Sequence, residues 1–222
     1  MKVCVSIKAS TVEEALALME KVADADLLEL RVDYLKSMRG LERVARYADK
    51  LVLTVRRANE GGLFKGSEAK RAKIIKEALK VHPRYVDIEA ASPIAPSLAN
   101  EAKLAGVGVI ASNHNLKRTP SMKGLMKAWG LCAKLNPDVV KVVTKALRAA
   151  DNLTVLNLLL KVDRPTIAFC MGPLGKPSRI LAPFFGAPFT YASPGEGLET
   201  APGQSSLQEV REVWRILGLN LA

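Results

Sequence analysis

Val139-Val140-Lys141-Val142-Val143 is a run of β-branched apolar residues with one lysine at its centre. A strand that is apolar along its whole length, rather than at every second residue, is typical of a parallel sheet covered on both faces. Similar runs recur along the chain. They predict eight strands: Val3–Ile7, Leu27–Arg31, Leu51–Arg56, Tyr85–Glu89, Val107–Ser112, Val139–Val143, Thr166–Cys170 and Phe189–Ala192. The stretch around Lys141 is thus the sixth strand of a repeating pattern.

Helical segments with recognisable start signals lie between these strands. Ser10 and Glu13 have the spacing of a capping box, in which each side chain bonds the other's backbone N–H. Further start signals predict helices from Ser67 toward Lys80, between Ser92 and Ala105, from Pro120 toward Leu135, and from Ser205 to near Gly218.

Eight strands, each followed by a helix, predict a compact (β/α)8 TIM barrel. We expect residues 1–222 to form this barrel as a single catalytic domain without an N-terminal extension. An open, doubly wound α/β sheet is the alternative. That fold usually carries a glycine-rich turn after its first strand, and Ile7–Thr11 contains no glycine.

The composition limits the functional class. With 49% hydrophobic and 25% charged residues, the chain is too apolar to be disordered. No apolar run approaches the ~18 residues of a membrane span, and the first residues lack a signal-peptide pattern, so we expect a cytoplasmic protein without membrane contact.

The net charge of +11 suits either nucleic acid or a small anionic substrate. The basic clusters are interrupted by acidic and apolar residues, and no aromatic side chains are interleaved with arginine as on a base-stacking surface. We therefore expect no nucleic-acid partner. A non-enzymatic nucleic-acid-binding barrel remains as a third alternative.

Metal and disulfide sites are not expected. Cys4, Cys132 and Cys170 are scattered and have no ligand spacing, so they are interpreted as small core residues. Asp87 and Glu89 could contact a divalent ion, but no second carboxylate cluster completes a site, and two histidines cannot form a His-rich one.

Catalytic groups of a barrel lie at the C-terminal ends of its strands. Lys141 inside an apolar strand is a candidate nucleophile, because a desolvated neutral amine can form a Schiff base with a carbonyl. The alternative is a lysine stem that extends past the strand end to water. His114 directly follows the fifth strand in a polar turn, where it is either an acid–base group or a turn histidine. His82, before Pro83, is interpreted as a surface residue.

Several arginines accompany these two candidates. Glu29 and Arg31 share a strand face and could pair with each other. Arg56 and Arg179 add guanidinium groups that suit a small carboxylated carbonyl compound. The loop Ser193–Gly197 could instead hold a phosphate, as in a class I aldolase-like Schiff-base barrel acting on a sugar phosphate, although its own Glu196 would repel one.

An ordered set of short motifs resembles the type I 3-dehydroquinate dehydratases of the shikimate pathway along nearly the whole chain. The motifs are Glu29-Leu30-Arg31-Val32-Asp33, Thr54-Val55-Arg56, Glu60-Gly61-Gly62, Asp87-Ile88-Glu89, Ser112-Asn113-His114, Asp138-Val139-Val140-Lys141, Met171-Gly172, Ser178-Arg179 and Ala201-Pro202-Gly203-Gln204. Each motif is weak alone, and the order makes the set specific.

The resemblance implies a (β/α)8 barrel, commonly a homodimer, that converts 3-dehydroquinate to 3-dehydroshikimate without metal or cofactor. Lys141 would be the Schiff-base lysine, His114 the proton-transfer group and Glu60 the carboxylate that orients it. The expected substrate-binding residues are Ser6, Glu29, Arg31, Arg56, Arg179, Thr200 and Gln204.

The chain departs from the family pattern in a few places. Asn115-Leu116 replaces a common Asp-Phe pair, Thr200 replaces a common serine, and Phe169 replaces a methionine of some relatives. None of these changes removes an expected catalytic group.

Overall fold

Eight parallel strands alternate with helices along residues 1–219, the part of the chain that this computed structural model describes. The strands are β1 Val3–Ile7, β2 Leu27–Arg31, β3 Leu51–Thr54, β4 Tyr85–Glu89, β5 Gly108–His114, β6 Val139–Lys145, β7 Thr166–Met171 and β8 Thr190–Ala192. Hydrogen bonds order them β7-β6-β5-β4-β3-β2-β1-β8. Each strand from β1 to β6 therefore pairs with the next in the chain, and β8 pairs with β1. This nearly closed order confirms the predicted (β/α)8 barrel and rules out a doubly wound sheet, in which the order reverses.

Seven α-helices surround the described barrel. They are α1 Val12–Lys21, α2 Glu68–Leu79, α3 Ala95–Leu104, α4 Met122–Ala133, α5 Asp151–Leu159, α6 Lys176–Leu181 and α7 Leu207–Ile216. None of the helices within residues 1–219 is long and apolar enough to cross a membrane. The predicted domain, residues 1–222, includes three residues that lie outside the described part.

The connection after β2 differs from the predicted α-helix. Leu41–Lys50 forms a 3-10 helix that buries Leu41, Val44 and Tyr47. These residues recur every three positions, which matches the three residues per turn of a 3-10 helix. The spacing therefore explains why this connection is wound more tightly than the others.

The cap of α1 also lies one residue later than predicted. Thr11 is the N-cap, and its hydroxyl accepts a hydrogen bond from the Glu14 N–H at 3.2 Å. Glu14 in turn accepts the Ser10 N–H at 2.7 Å, so Ser10 and Glu13 do not form the expected box. Glu13 instead pairs with Arg43 of the 3-10 helix at 2.6 Å.

An apolar layer fills the inside of the barrel. Its buried members come from the inward faces of β1, β2, β3, β5, β6 and β7 and from the β8 segment: Cys4, Leu27, Val52, Ile110, Val139, Val143, Ile167, Phe169, Phe189 and Tyr191. Cys4, Cys132 and Cys170 are all buried and unbonded to one another. The layer leaves room for polar side chains only toward the C-terminal ends of the strands, and this positions the site.

Trp214 provides a test of how the last helix is attached. It is fully buried, and its Nε1–H donates to the Ile180 carbonyl at 2.8 Å, which joins α7 to α6. Trp214→Ala should lower the free energy of unfolding by about 3–5 kcal/mol, because it leaves a large cavity. Chemical denaturation measures the change.

Ile216→Ala is the matched control in the same helix, because Ile216 is 69% exposed. We expect it to change the free energy of unfolding by less than about 0.5 kcal/mol. Equal denaturation midpoints for the two variants would contradict this account of the packing.

Candidate active site

A cavity of about 310 Å³ opens at the C-terminal ends of the strands. All ten residues that the sequence proposes for the site line it: Ser6, Glu29, Arg31, Arg56, Glu60, His114, Lys141, Arg179, Thr200 and Gln204. They come from four strands, β1, β2, β5 and β6, and from the segments after β3, β7 and β8. The barrel thus brings together side chains that are far apart in the sequence.

Lys141 lies inside the barrel and is only 5% exposed. Its Nζ is 3.0 Å from Asp87 Oδ2 and 3.7 Å from Glu29 Oε1, and it lies over the ring of Tyr191 at 3.9 Å from the centroid. The expected surroundings were apolar, but the structure places two carboxylates and an aromatic face around the amine. The alternative of a stem extending past the strand end is wrong, because the amine is enclosed.

Glu29 is held by two hydroxyl groups rather than by Arg31. Its oxygens accept hydrogen bonds from Ser6 at 2.6 Å and from Thr54 at 2.8 Å. Burial alone would raise the pKa of Glu29, but the charges of Lys141 and Arg31 lower it overall. Glu29 is therefore a carboxylate at neutral pH and faces Lys141 with a negative charge.

Arg31 pairs instead with Asp33, which the sequence interpretation had not considered. The guanidinium contacts both carboxylate oxygens, with Nε 2.9 Å from Oδ1 and Nη2 2.7 Å from Oδ2. This two-pronged pair fixes Arg31 at the rim of the cavity.

Asp87 is a site residue that the sequence interpretation missed as a partner of Lys141. Its carboxylate also contacts Arg56 Nη2 at 2.6 Å and accepts the Ser112 hydroxyl at 2.5 Å. Burial would raise the pKa of Asp87, but Arg56, Lys141 and His114 hold it far below its ordinary range. Asp87 therefore stays ionised beneath the amine. Asp87 and Glu89, considered as metal ligands, both bind Arg56.

The sequence had suggested that His114 lies in a polar turn. In the structure it is instead the last residue of β5. Its Nδ1 is 2.9 Å from Glu60 Oε2, and its backbone N–H donates to the same oxygen at 3.0 Å. Because a carboxylate only accepts, we assign the ring hydrogen to Nδ1, which leaves the Nε2 lone pair available as a base.

Glu60 reaches His114 through a tight turn after β3. Residues Ala58–Glu60 form a 3-10 turn, and Gly61 follows with φ +86°. A Cβ on Gly62 would lie 2.1 Å from the Arg56 carbonyl oxygen, so the turn can close only around a glycine. The motif Glu60-Gly61-Gly62 is thus required by backbone geometry.

The imidazole of His114 is neutral at pH 7. Burial lowers its pKa to about 4, the charges of Arg56 and Lys141 act in the same direction, and Glu60 acts in the opposite one. For Glu60, burial alone would raise the pKa, but His114, Arg56 and Arg57 lower it overall. The pair therefore consists of an anionic carboxylate and a neutral base.

The Gly, Pro and Ser residues that precede Arg179 suggest a loop, but the structure places Arg179 in α6. It is 2% exposed, and its guanidinium lies 4.2 Å from the ring centroid of Phe169. Within the described residues, its Nε and Nη2 have no hydrogen-bond partner. Burial lowers its pKa to about 10, which leaves it charged at neutral pH. Two unpaired N–H groups at a cavity wall suit a carboxylate.

The segment after β8 covers one side of the cavity. Gln204 Oε1 accepts the Thr200 N–H at 2.8 Å, and Lys8 donates to the Glu199 carbonyl at 2.8 Å. The segment Ser193–Gly197, considered as a phosphate loop, does not line the cavity. The aldolase-like alternative loses its phosphate site there.

Within residues 1–219, no group of three or more His, Cys, Asp or Glu side chains is arranged to hold a metal ion. Two further cavity residues had no signal in the sequence interpretation. Lys145 of β6 lies two positions beyond Val143 on the inward face, and the hydroxyl of Tyr191 is buried without a partner within the described chain.

Comparison with known proteins identifies a family for this arrangement. A sequence model of the type I 3-dehydroquinase family matches residues 3–220. A 3-dehydroquinate dehydratase of Thermococcus gammatolerans is 41% identical over 93% of this chain and 94% of that protein. A 3-dehydroquinate dehydratase of Pyrococcus abyssi is 38% identical over 96% of each.

Solved structures agree with these matches. The type I 3-dehydroquinate dehydratase of Clostridium difficile, carrying covalently modified comenic acid, has a TM-score of 0.85 at 26% identity and covers 97% of this chain and 91% of that one. The 3-dehydroquinate dehydratase of Geobacillus kaustophilus has a TM-score of 0.87 over 100% and 92%, and at 24% identity it shows the fold alone.

The protonation of His114 can be measured in the unliganded protein. The chain contains two histidines, so NMR of the imidazole rings gives two signal sets, and His82→Ala assigns them. As pH falls, we expect the His114 ring to gain its second proton near pH 4, and above that to remain the Nδ1–H form. A midpoint near the ordinary value of 6.5 would contradict the buried, neutral imidazole.

Proposed function

The chain belongs to the type I 3-dehydroquinase family, and from this premise we propose that it dehydrates 3-dehydroquinate to 3-dehydroshikimate through an imine on Lys141. The chain is an enzyme of the hydro-lyase class and belongs to the shikimate pathway.

One observation carries the mechanism. An enclosed lysine amine and a neutral imidazole line the same cavity, and each has its own carboxylate partner. Asp87 holds the amine of Lys141 at 3.0 Å, and Glu60 holds the ring of His114 at 2.9 Å. A nucleophile and a base, each fixed by a third group, are the arrangement that covalent catalysis requires.

The first step joins Lys141 to the substrate. The ammonium group of Lys141 first releases one proton, and the amine nitrogen attacks the ketone carbon to form a carbinolamine. The carbinolamine then takes up one proton as its hydroxyl leaves as water, so that a protonated imine remains. This positive charge forms where the amine had been, between Asp87 and Glu29. Their carboxylates stabilise it by direct attraction in a buried site.

The second step uses His114. The protonated imine withdraws electrons, so the neighbouring C–H becomes acidic enough for the imidazole to take its proton and form an enamine. The enamine electrons then expel the β-hydroxyl, and the imidazolium returns the proton to that oxygen, so the group leaves as water. Water finally hydrolyses the imine, which releases the product and restores Lys141. The net change is the loss of one water molecule.

Arg179 is proposed to bind the substrate carboxylate. Its unpaired Nε and Nη2 groups can form two parallel hydrogen bonds, and Phe169 keeps the guanidinium plane in place. Ser6, Glu29, Arg31, Arg56, Thr200 and Gln204 are proposed to contact substrate as well. We further propose that the protein is a cytoplasmic homodimer, and sedimentation of the purified chain tests the dimer. Its proposed binding partner is the small carboxylated substrate, and neither nucleic acid nor a membrane is proposed as a partner.

The imine can be trapped. With 3-dehydroquinate, the wild type should generate the ultraviolet absorbance of a conjugated enone, with or without a chelator. Borohydride added with product should add one ligand mass to the peptide that contains Lys141, and Lys141→Ala should lose both turnover and labelling.

His114→Ala should lower kcat by about 10²–10⁴-fold, the usual contribution of acid–base catalysis, and should accumulate the adduct.

His82→Ala is the control for the histidine variant, because His82 lies outside the cavity. It should match the wild type in turnover. Label on a different peptide, or loss of activity in His82→Ala with His114→Ala active, would refute the assignment. Absence of any enone absorbance from the wild type would refute the proposed reaction itself.

Arg179→Met should weaken substrate binding while keeping the packing on Phe169. Loss of a charged hydrogen bond is worth about 1.5–3 kcal/mol, so KM should rise roughly 10- to 150-fold. Steady-state kinetics measures KM, and a thermal melt checks folding. Lys176→Met in the same helix is the control, because Lys176 is exposed and should leave KM unchanged. A normal KM in Arg179→Met would exclude the carboxylate contact.

A further inference from the structure

The ion pair of His114 and Glu60 continues into a second layer of charged side chains behind the cavity. We propose that Arg57 is a positioning residue, which bridges Glu60 to Glu68 of α2 and thereby fixes the Glu60 carboxylate against His114. This inference rests on the proposed function of His114. Arg57 does not line the cavity, so it would act only through Glu60.

The two oxygens of Glu60 have separate partners. Oε2 accepts both the ring Nδ1–H and the backbone N–H of His114, at 2.9 and 3.0 Å. Oε1 accepts from Arg57 Nη2 at 3.1 Å. Rotation of the Glu60 carboxylate would break the hydrogen bonds of both oxygens. Arg57 therefore prevents Glu60 from turning away from the imidazole.

Arg57 is itself held from outside the turn. Its Nη1 is 3.4 Å from Glu68 Oε1, and its backbone N–H donates to Glu89 Oε1 at 2.9 Å. Its side chain is 14% exposed, and the carboxylate of Glu60 is 6% exposed. The guanidinium therefore spans two carboxylates that belong to different elements, with Nη2 directed at Glu60 and Nη1 at Glu68.

Helix α2 makes this anchor rigid. Glu68 is its first residue, and Glu68 Oε2 accepts from Arg71 Nη1 at 3.1 Å and from the Ser92 hydroxyl at 2.7 Å. Arg71 is fully buried, pairs with Glu89, and donates from Nε to the Val55 carbonyl at 2.9 Å. Glu68 thus connects Arg57 to the core of the helix and to the end of β3. In the sequence it had been interpreted only as the start of a helix.

Arg57 also changes the charge that His114 experiences. The groups that act on the imidazole are Glu60 from the β3 turn, Arg56 from the end of β3, Lys141 from β6 and Asp87 from β4. Of these groups, Glu60 raises the pKa of the imidazole through its hydrogen bond and its negative charge. Without Arg57, Glu60 could turn away from the ring, and the imidazole would become less basic.

Arg57→Met in the full chain separates this role from simple folding. We expect kcat to fall by about 10- to 100-fold, since small displacements of a catalytic group have effects of this size. We also expect the pH midpoint of the His114 ring, followed by NMR in the unliganded protein, to fall by about one pH unit, because Glu60 no longer stabilises the charged ring. Arg43→Met is the control, because Arg43 forms an exposed ion pair with Glu13. It should change neither quantity.

The inference is overturned if Arg57→Met has both the wild-type kcat and the wild-type pH midpoint of the His114 ring. It is also overturned if kcat falls while that midpoint does not shift. If the methionine variant does not fold, Arg57→Lys keeps the charge but breaks the bridge, and kcat should still fall about fivefold or more. Wild-type turnover by Arg57→Lys would then overturn it. The NMR midpoint needs no substrate, so a wild type inactive on 3-dehydroquinate would refute the proposed function separately.

Discussion

The contact between Lys141 and Asp87 is the constraint on which the rest of the site depends. An ammonium group 5% exposed inside a barrel is costly unless an anion lies beside it, and Asp87 lies 3.0 Å away. Asp87 is buried as well, and it needs Arg56 and Ser112 to satisfy its remaining oxygen positions. Each buried charge therefore requires the next one.

The buried ion pairs continue as a chain of alternating arginine and glutamate side chains. Arg56 contacts Glu89, Glu89 contacts Arg71 of α2, and Arg71 contacts Glu68. From Glu68 the chain returns through Arg57 to Glu60 and His114. Lysine and histidine are thus joined by one network of ion pairs that passes behind the cavity. The network also connects β4, β5, β6, α2 and the segment after β3 to one another.

Local sequence predicted the strands well because their signal is local. Three of the eight strands, β1, β2 and β4, have the predicted bounds. The differences lie at strand ends, where for example β5 and β6 continue to His114 and Lys145. Partners across the barrel carried no such signal. Asp87 and Lys141 are 54 positions apart, and their contact depends on strand register and side-chain reach. Arg31 was weighed against Glu29 because the two share a strand face, but Asp33 holds Arg31 at 2.7 Å because the chain leaves β2 and enters a 3-10 turn at Val32.

Two of the guanidinium groups at the cavity, those of Arg56 and Arg179, have different roles because their hydrogen bonds differ. Arg56 is already bound to Asp87, Ser112 and Glu89, and its charge lowers the pKa of both His114 and Glu60. Among the residues that the structure describes, the Nε and Nη2 groups of Arg179 have no hydrogen-bond partner, and its guanidinium lies over the face of Phe169. A carboxylate that enters the cavity would gain most at the guanidinium that has no other anion. Arg56 therefore sets the charge of the site, and Arg179 is the group that remains available to recognise a substrate anion.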